Sequence, residues 1–252
     1  MVERGEAIEE ESGRQTSGTT RKPKEGIPWN ISVIIPTLNE AACIAEVLAK
    51  TRRLGECEIV VVDGESTDET LAGAQAADVC LSSPGGRACQ QNAGAAVSRG
   101  NVLLFLHADC WLEPGSFEAV RAILSDDRVV GGCFRQVIDA PGFPYRMLEW
   151  GNALRVKTCK WAYGDQGIFV RRDTFEELGG FPNVRLMEDL YLMKRLKRAG
   201  RFALLDAGIH VSPRRWQQTG IIRQTLRNWS LVTLAQCGVS PDRLARFYPK
   251  VR

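Results

Sequence analysis

Three short runs, "ISVIIPT" at 31–37, "EIVVVDG" at 58–64 and "NVLLFLHAD" at 101–109, are apolar almost without interruption, and each ends on polar residues. A strand with one face in water alternates in character. A continuous run of this length is buried on both faces, which is the condition of strands in a parallel sheet covered by helices. The intervening segments agree. "NEAACIAEVLAKTRR" (39–53) has helical spacing behind Asn39 as N-cap, "STDETLAGAQAA" reads as another capped helix start, and a short strand at "DVCLSS" leads to the loop and helix of "PGGRACQQNAGAAVSRG". Four strands with helical connections predict a Rossmann-like α/β sheet whose ligands sit beyond the carboxyl ends of the strands.

After residue 128 the rhythm changes. "VVGGCFRQVI" and "AYGDQGIFVRR" read as strands around a helical insert at 143–158, followed by a helix over about 188–199 closed by Gly200 and the strand "FALLDAGIHVS". Neither a repeat nor a linker interrupts this half. One domain over 29–252 is therefore expected, with a nucleotide-binding half at about 29–128 and a second half at about 129–252 that completes it. Residues 1–28 hold almost no large apolar side chains and are expected to be disordered.

Composition excludes more than it selects. With 33 basic and 30 acidic residues the net charge is +3, which does not call for a nucleic-acid partner. Eight cysteines without C-x-x-C or zinc spacing read as reduced thiols of a cytoplasmic protein. No transmembrane run or signal peptide is legible, so a soluble protein is expected. Peripheral membrane contact stays open, because the C-terminal stretch mixes Leu226, Trp229, Leu231 and Leu234 with arginines. Neither G-x-G-x-x-G nor a P-loop occurs, which argues against dinucleotide enzymes and P-loop NTPases.

Polar groups gather at three strand ends: Pro36, Thr37, Asn39 and Glu40 after the first, Asp63 after the second, His107 and Asp109 after the fourth. A carboxylate at a second strand end can accept hydrogen bonds from a base or ribose. One at the fourth can hold a divalent cation, Mg²⁺ or Mn²⁺, that bridges phosphate oxygens.

The set "PTLNE", "VVDGESTDET", "GRACQQNAGA", "FLHAD", "GDQGIFVRR", "MEDLYL" and "RRW" resembles family 2 glycosyltransferases of the GT-A fold, across about residues 30–235. The "GRACQQNAGA", "FLHAD" and "RRW" variants are similar to a small single-domain bacterial-type subgroup labelled arsenosugar-biosynthesis-like transferases. The resemblance implies that Pro36, Thr37, Asn39, Glu40 and Asp63 line the nucleoside pocket, that Arg87 lies near the nucleotide, and that Asp109 is the last acid of a D-x-D element and holds the metal. Two positions depart from the pattern. His107 stands for the first acid of that element, and Gly64 for the second of two adjacent acids after the second strand.

The resemblance also implies a general base in "MEDLYL", Asp189 with Glu188 as second candidate, and a phosphate-binding arginine in "SPRRW", Arg215 with Arg214 as its alternative. His210 is either a metal ligand or a structural residue of an apolar strand. Asp165, Gln166 and Trp216 are expected at the sugar or acceptor. The expected reaction moves a sugar from a nucleoside diphosphate sugar, with UDP first among the bases, to a hydroxyl acceptor that is a small molecule, a glycan or lipid-linked. With one base and no activated nucleophile in view, it inverts the anomeric centre. The rival readings are a sugar-phosphate nucleotidyltransferase, whose Gly-rich loop would have to stand where "PTLNEAACIAE" does, and a non-catalytic nucleotide-sugar-binding protein.

Overall fold

The computed structural model describes residues 30–245, and the expected disorder of 1–28 lies outside them. The strands are β1 (Ile31–Thr37), β2 (Glu58–Asp63), β3 (Val79–Ser82), β4 (Val102–Phe105), β5 (Cys110–Leu112), β6 (Val129–Ile138), β7 (Phe169–Arg171) and β8 (Arg201–Val211). The helices are α1 (Ile44–Arg52), α2 (Thr70–Gly73), α3 (Arg87–Val97), α4 (Ser116–Leu124), α5 (Phe143–Cys159), α6 (Arg172–Glu177), α7 (Glu188–Ala199), α8 (Arg214–Thr219), α9 (Ile221–Gln236) and α10 (Pro241–Ala245). All eight strands form one sheet in the order β3-β2-β1-β4-β7-β6-β8-β5.

The first four strands pair in parallel. Their register sets Thr37 opposite Asp63 and Asp63 opposite Ser82, so the polar strand ends share one edge. Alternate residues feed two cores. Val33 and Ile35 pack on the α1 side, whereas Ile34, Val60 and Val62 pack beneath α3. Gly94 permits that contact, since a Cβ there would lie 2.5 Å from Ile34 Cγ2. On the same face Phe105 meets Phe181 edge-on at 4.8 Å and Phe175 at 5.3 Å. Each such fully buried side chain contributes roughly 1.5–3 kcal/mol of transfer free energy.

Beyond β4 the sheet becomes mixed. β7 runs antiparallel to both β4 and β6, β8 lies parallel to β6, and β5 adds antiparallel to β8. β5 was not legible, being three residues directly after the "HAD" turn. The span "AYGDQGIFVRR" contains a single 3-10 turn at Gly164–Gln166 and only three strand residues. Asn39 is not an N-cap. It holds φ +54° and its Oδ1 accepts from Thr67 N at 2.9 Å, while α1 starts at Ile44. The insert at α5, the helix closed by Gly200 and strands β6 and β8 stand where the periodicity put them.

Candidate active site

Two cavities open beyond the carboxyl ends of the strands. One, of about 70 Å³, is bordered by Pro36, Glu40, Gln90, Asp109, Arg214 and Trp216. The other, of about 120 Å³, is bordered by Tyr163, Gly164, Glu188, Asp189 and, from α9, Asn228, Leu231 and Val232. Arg87, His107, Asp165 and Arg215 border both. These four make the wall between two compartments.

The smaller cavity is a cation-rich place for one carboxylate. Asp109 sits on the turn between β4 and β5, where burial alone would raise its pKa. His107, Arg215, Arg87 and Arg214 outweigh that burial and hold the carboxyl below its ordinary value. Arg87 is the first residue of α3 and Arg214 the first of α8. His107, Asp109 and Cys110 bring potential ligand atoms within 4.8 Å of one another. Cys110 is a poor partner for a hard cation, since burial pushes its thiol far up and its Sγ donates to Asp109 Oδ1 at 3.6 Å. One carboxylate flanked by arginines fits Mg²⁺ or Mn²⁺ held jointly with phosphate oxygens.

In the larger cavity the acids are pushed the other way. Burial and the neighbouring Asp189 raise Glu188 to about 7. Burial also raises Asp189, although Gly164 N and Leu190 N each donate to its carboxylate at 2.7 Å. Gly164 leaves room for this meeting. A Cβ there would stand 2.9 Å from His107 Nε2 and 3.7 Å from Asp189 Oδ2. Asp165, whose pKa burial also raises, accepts from Gln136 Nε2 at 2.9 Å, while its buried Oδ1 has no hydrogen bond. Behind it Gln136 accepts from Asn152 at 2.5 Å, Asn152 from Arg155 at 2.7 Å, and the Arg155 guanidinium lies 3.7 Å from the centre of the Tyr163 ring. This chain of contacts runs from α5 to the cavity wall.

Several expected site residues lie away from the cavities or are engaged within the protein. Asp63 is 1% exposed and spends its carboxylate on Ser66 N, Ser66 Oγ and Thr37 Oγ1. Asp63, Thr37 and Asn39 therefore fix the turns that frame the smaller cavity and do not border it. Gln166 is fully buried, its Oε1 taken by Arg155 at 2.6 Å and Tyr163 N at 3.2 Å, so it holds the 3-10 turn, and it borders neither cavity. Trp216 borders the smaller cavity with Asp109 and not the one containing Asp189. His210 is no partner of Asp109. Its Nδ1 meets Asp139 at 2.5 Å, its Nε2 meets Glu113 at 3.4 Å, and its ring stacks on Trp111 at 3.7 Å. Both ring nitrogens are so occupied, and the ring joins β8 to β5.

Gln90 was missed. It is buried, and its Nε2 donates to Thr37 O at 2.7 Å and Val62 O at 2.9 Å. Two carbonyls fix the amide's orientation and leave Oε1 without a hydrogen bond among the described residues. A Cβ at Gly64 would lie 2.9 Å from that Nε2, so the side chain takes up space that Gly64 leaves. The departure at Gly64 was the signal. Nothing in one sequence pointed from it to Gln90, which lies 26 residues away.

Comparison with known proteins bears on the family and the fold. A glycosyltransferase of Mycobacterium bovis described as "PGL/p-HBAD biosynthesis glycosyltransferase" is 31% identical over 166 residues, covering 60% of this chain and 62% of that protein. Glycosyltransferase AglE of Haloferax volcanii is 28% identical, covering 68% and 62%. The chain thus spans about three fifths of the length of these curated relatives. The crystal structure of S. aureus TarS 1–349 superposes with a TM-score of 0.59 at 20% identity, covering 73% of this chain and 61% of that one, and a related structure holds UDP-GlcNAc. The fold is accordingly the mixed α/β, GT-A-like sheet. The family model "Glycosyl transferase family 2" matches residues 32–181, and with that match over more than half its length the chain belongs to glycosyl transferase family 2.

Proposed function

We propose that the protein transfers a glycosyl group from a nucleoside diphosphate sugar, a UDP-sugar first among candidates, to a hydroxyl acceptor with inversion at the anomeric carbon. The observation that carries this reading is the shared wall. A compartment suited to diphosphate, with Asp109, Arg87, Arg214 and Arg215, adjoins one holding two buried acids, Glu188 and Asp189. UDP is favoured because the related TarS structure holds UDP-GlcNAc.

In this reading Asp189 takes the acceptor's hydroxyl proton, and its raised pKa suits it to that transfer. The acceptor oxygen bonds to the anomeric carbon as the bond to the diphosphate breaks, and Arg87 and Arg215 meet the charge that develops on the leaving oxygens. A divalent cation on Asp109, with His107 beside it, supplies further charge neutralisation when bound. Pro36 and Glu40 border the place for the nucleoside, and Gln90 Oε1 is an acceptor facing a base or ribose donor. The 29–128 half supplies most of the donor side, completed by Arg214, Arg215 and Trp216 from the second half.

Calorimetric titration with UDP, GDP and dTDP, with Mn²⁺ and after chelation, tests the donor side. One nucleotide is expected to bind with metal and to lose about tenfold or more in affinity both on chelation and in Asp109→Ala. Binding of no nucleotide overturns the reading. A product that keeps the donor's anomeric configuration, seen by NMR, overturns inversion.

A further inference from the structure

Two helices beside the larger cavity carry apolar rows that nothing in the described chain covers. On α9, Ile222, Leu226 and Trp229 follow one another at helical spacing and are 75%, 56% and 64% exposed. On α5, Phe143, Met147, Trp150 and Leu154 repeat the pattern, with Phe143 75% and Trp150 63% exposed. A soluble surface tolerates scattered apolar residues, but two rows with a tryptophan in each mark a place of contact.

The charge around these rows is one-sided. Residues 143–160 and 212–240 hold eight basic residues against a single acid, Glu149. Of the eight, Arg146, Lys157, Lys160, Arg214 and Arg223 are exposed, whereas Arg155 is turned inward onto Gln166 and Trp161, Arg215 borders both cavities and Arg227 is half-buried against Gln224. Glu149 is paired with Arg146 at 2.9 Å. The whole chain is nearly balanced at 33 to 30, so this excess is local.

Of the two helices only α9 borders the cavity, and α5 reaches its wall through Arg155, whose guanidinium lies over the Tyr163 ring. The inner side of α9 supplies Asn228, Leu231 and Val232 to its wall. Trp161, just past the end of α5, packs with Leu231 and Ala235 of α9 and accepts from Arg155 through its backbone carbonyl at 3.0 Å. No described helix is long and apolar enough to cross a membrane. An apolar row with tryptophan, basic flanks and no free acid is the composition of a helix that lies in a lipid interface.

We propose that the α9 and α5 rows seat the protein on an anionic lipid bilayer, which brings the cavity of Glu188 and Asp189 to the lipid surface. A lipid-borne acceptor follows if the transfer reading holds, and that part rests on it. The lipid contact itself does not.

The test is co-sedimentation with phosphatidylcholine vesicles, with and without about one third phosphatidylglycerol, in the absence of donor and acceptor. The protein is expected to pellet with the anionic vesicles, to be released by raised salt, and to stay in solution with phosphatidylcholine alone. Bromine-labelled lipid tails should quench tryptophan fluorescence, and less so in Trp229→Ser and Trp150→Ser. The double variants Ile222→Ser/Trp229→Ser and Phe143→Ser/Trp150→Ser should each lower partition about tenfold or more, because interfacial affinity scales with buried apolar area.

All four changes are on exposed side chains, and circular dichroism and UDP titration check that fold and donor site persist. Failure to bind anionic vesicles overturns the proposal, as does equal partition into both vesicle types. A wild-type dimer that the double variants turn into monomer also overturns it, since the rows would then face a second copy. Vesicle binding without any nucleotide binding leaves the lipid surface standing and removes the transfer reading.

Discussion

The two cavities treat their acids in opposite ways. Asp109 faces four cationic or potentially cationic side chains and is held ionised in spite of burial, whereas Glu188 and Asp189 are buried together and pushed towards the protonated form. The difference lies in neighbours more than in depth. A carboxylate surrounded by guanidinium groups is prepared to share a cation with phosphate, and one in a dry pocket beside another acid is prepared to exchange a proton.

The largest effect should come from breaking the proton-accepting side. Asp189→Asn keeps the volume and removes the base, and kcat with a turned-over donor should fall about 10³-fold while nucleotide affinity stays within about twofold. An equal loss in Glu188→Gln and none in Asp189→Asn would move the base to Glu188.

The next effect concerns the donor side, where Gln90 and Gly64 share one space. Gly64→Ala should destabilise by about 1–3 kcal/mol through overpacking, and Gln90→Ala by a similar amount by stripping donors from Thr37 O and Val62 O. Denaturant unfolding of the double variant should show a loss smaller than the sum by about 1 kcal/mol or more. Strict additivity would separate the two residues. If Gln90 reads the nucleoside, Gln90→Leu should also weaken nucleotide binding about tenfold.

A third comparison uses pH. The pKa of Glu188 is raised from 4.5 to about 7 in the folded state, so its stabilising contribution is present below pH 4.5 and is lost as pH rises through about 7. Wild type should lose up to roughly 3 kcal/mol across that window relative to Glu188→Gln. Parallel stability profiles for the two proteins would remove the shift.

The smallest expected effect is at His210, which belongs to neither cavity. His210→Gln should cost about 1–2 kcal/mol of stability through the lost contacts with Asp139 and Glu113, and leave metal-dependent nucleotide affinity within about twofold. A selective loss of metal dependence would restore it as a ligand.

The region before residue 110 was legible because its strands are buried on both faces, and burial of that kind writes itself as continuous apolar runs. β1, β2 and β4 stand where those runs are, and Asp109 and Glu40 reach a cavity as the strand ends implied. Past residue 110 the long strands β6 and β8 were legible as well, but β5 and β7 have three residues each, and the order of all four in the sheet depends on pairing across distances that a local pattern does not record. The site divides differently. Asp189, Glu188, Arg87, Arg215 and Asp165 border the cavities, whereas Asp63, Asn39 and Gln166 bear the same polar groups but spend them on neighbouring backbone.

The sequence by itself determined the α/β class, the parallel half of the sheet and the family, since periodicity and ordered motifs are properties of the chain read in one dimension. Only the tertiary structure decided which polar groups are spent on the scaffold and which border a cavity. It set Gln90 beside Gly64, His210 between Asp139 and Glu113, and Asp109 apart from Asp189 in charge environment. Hydrogen-bond partners and desolvation are set by residues distant along the chain and close in space, and for that reason they are written nowhere in the local pattern.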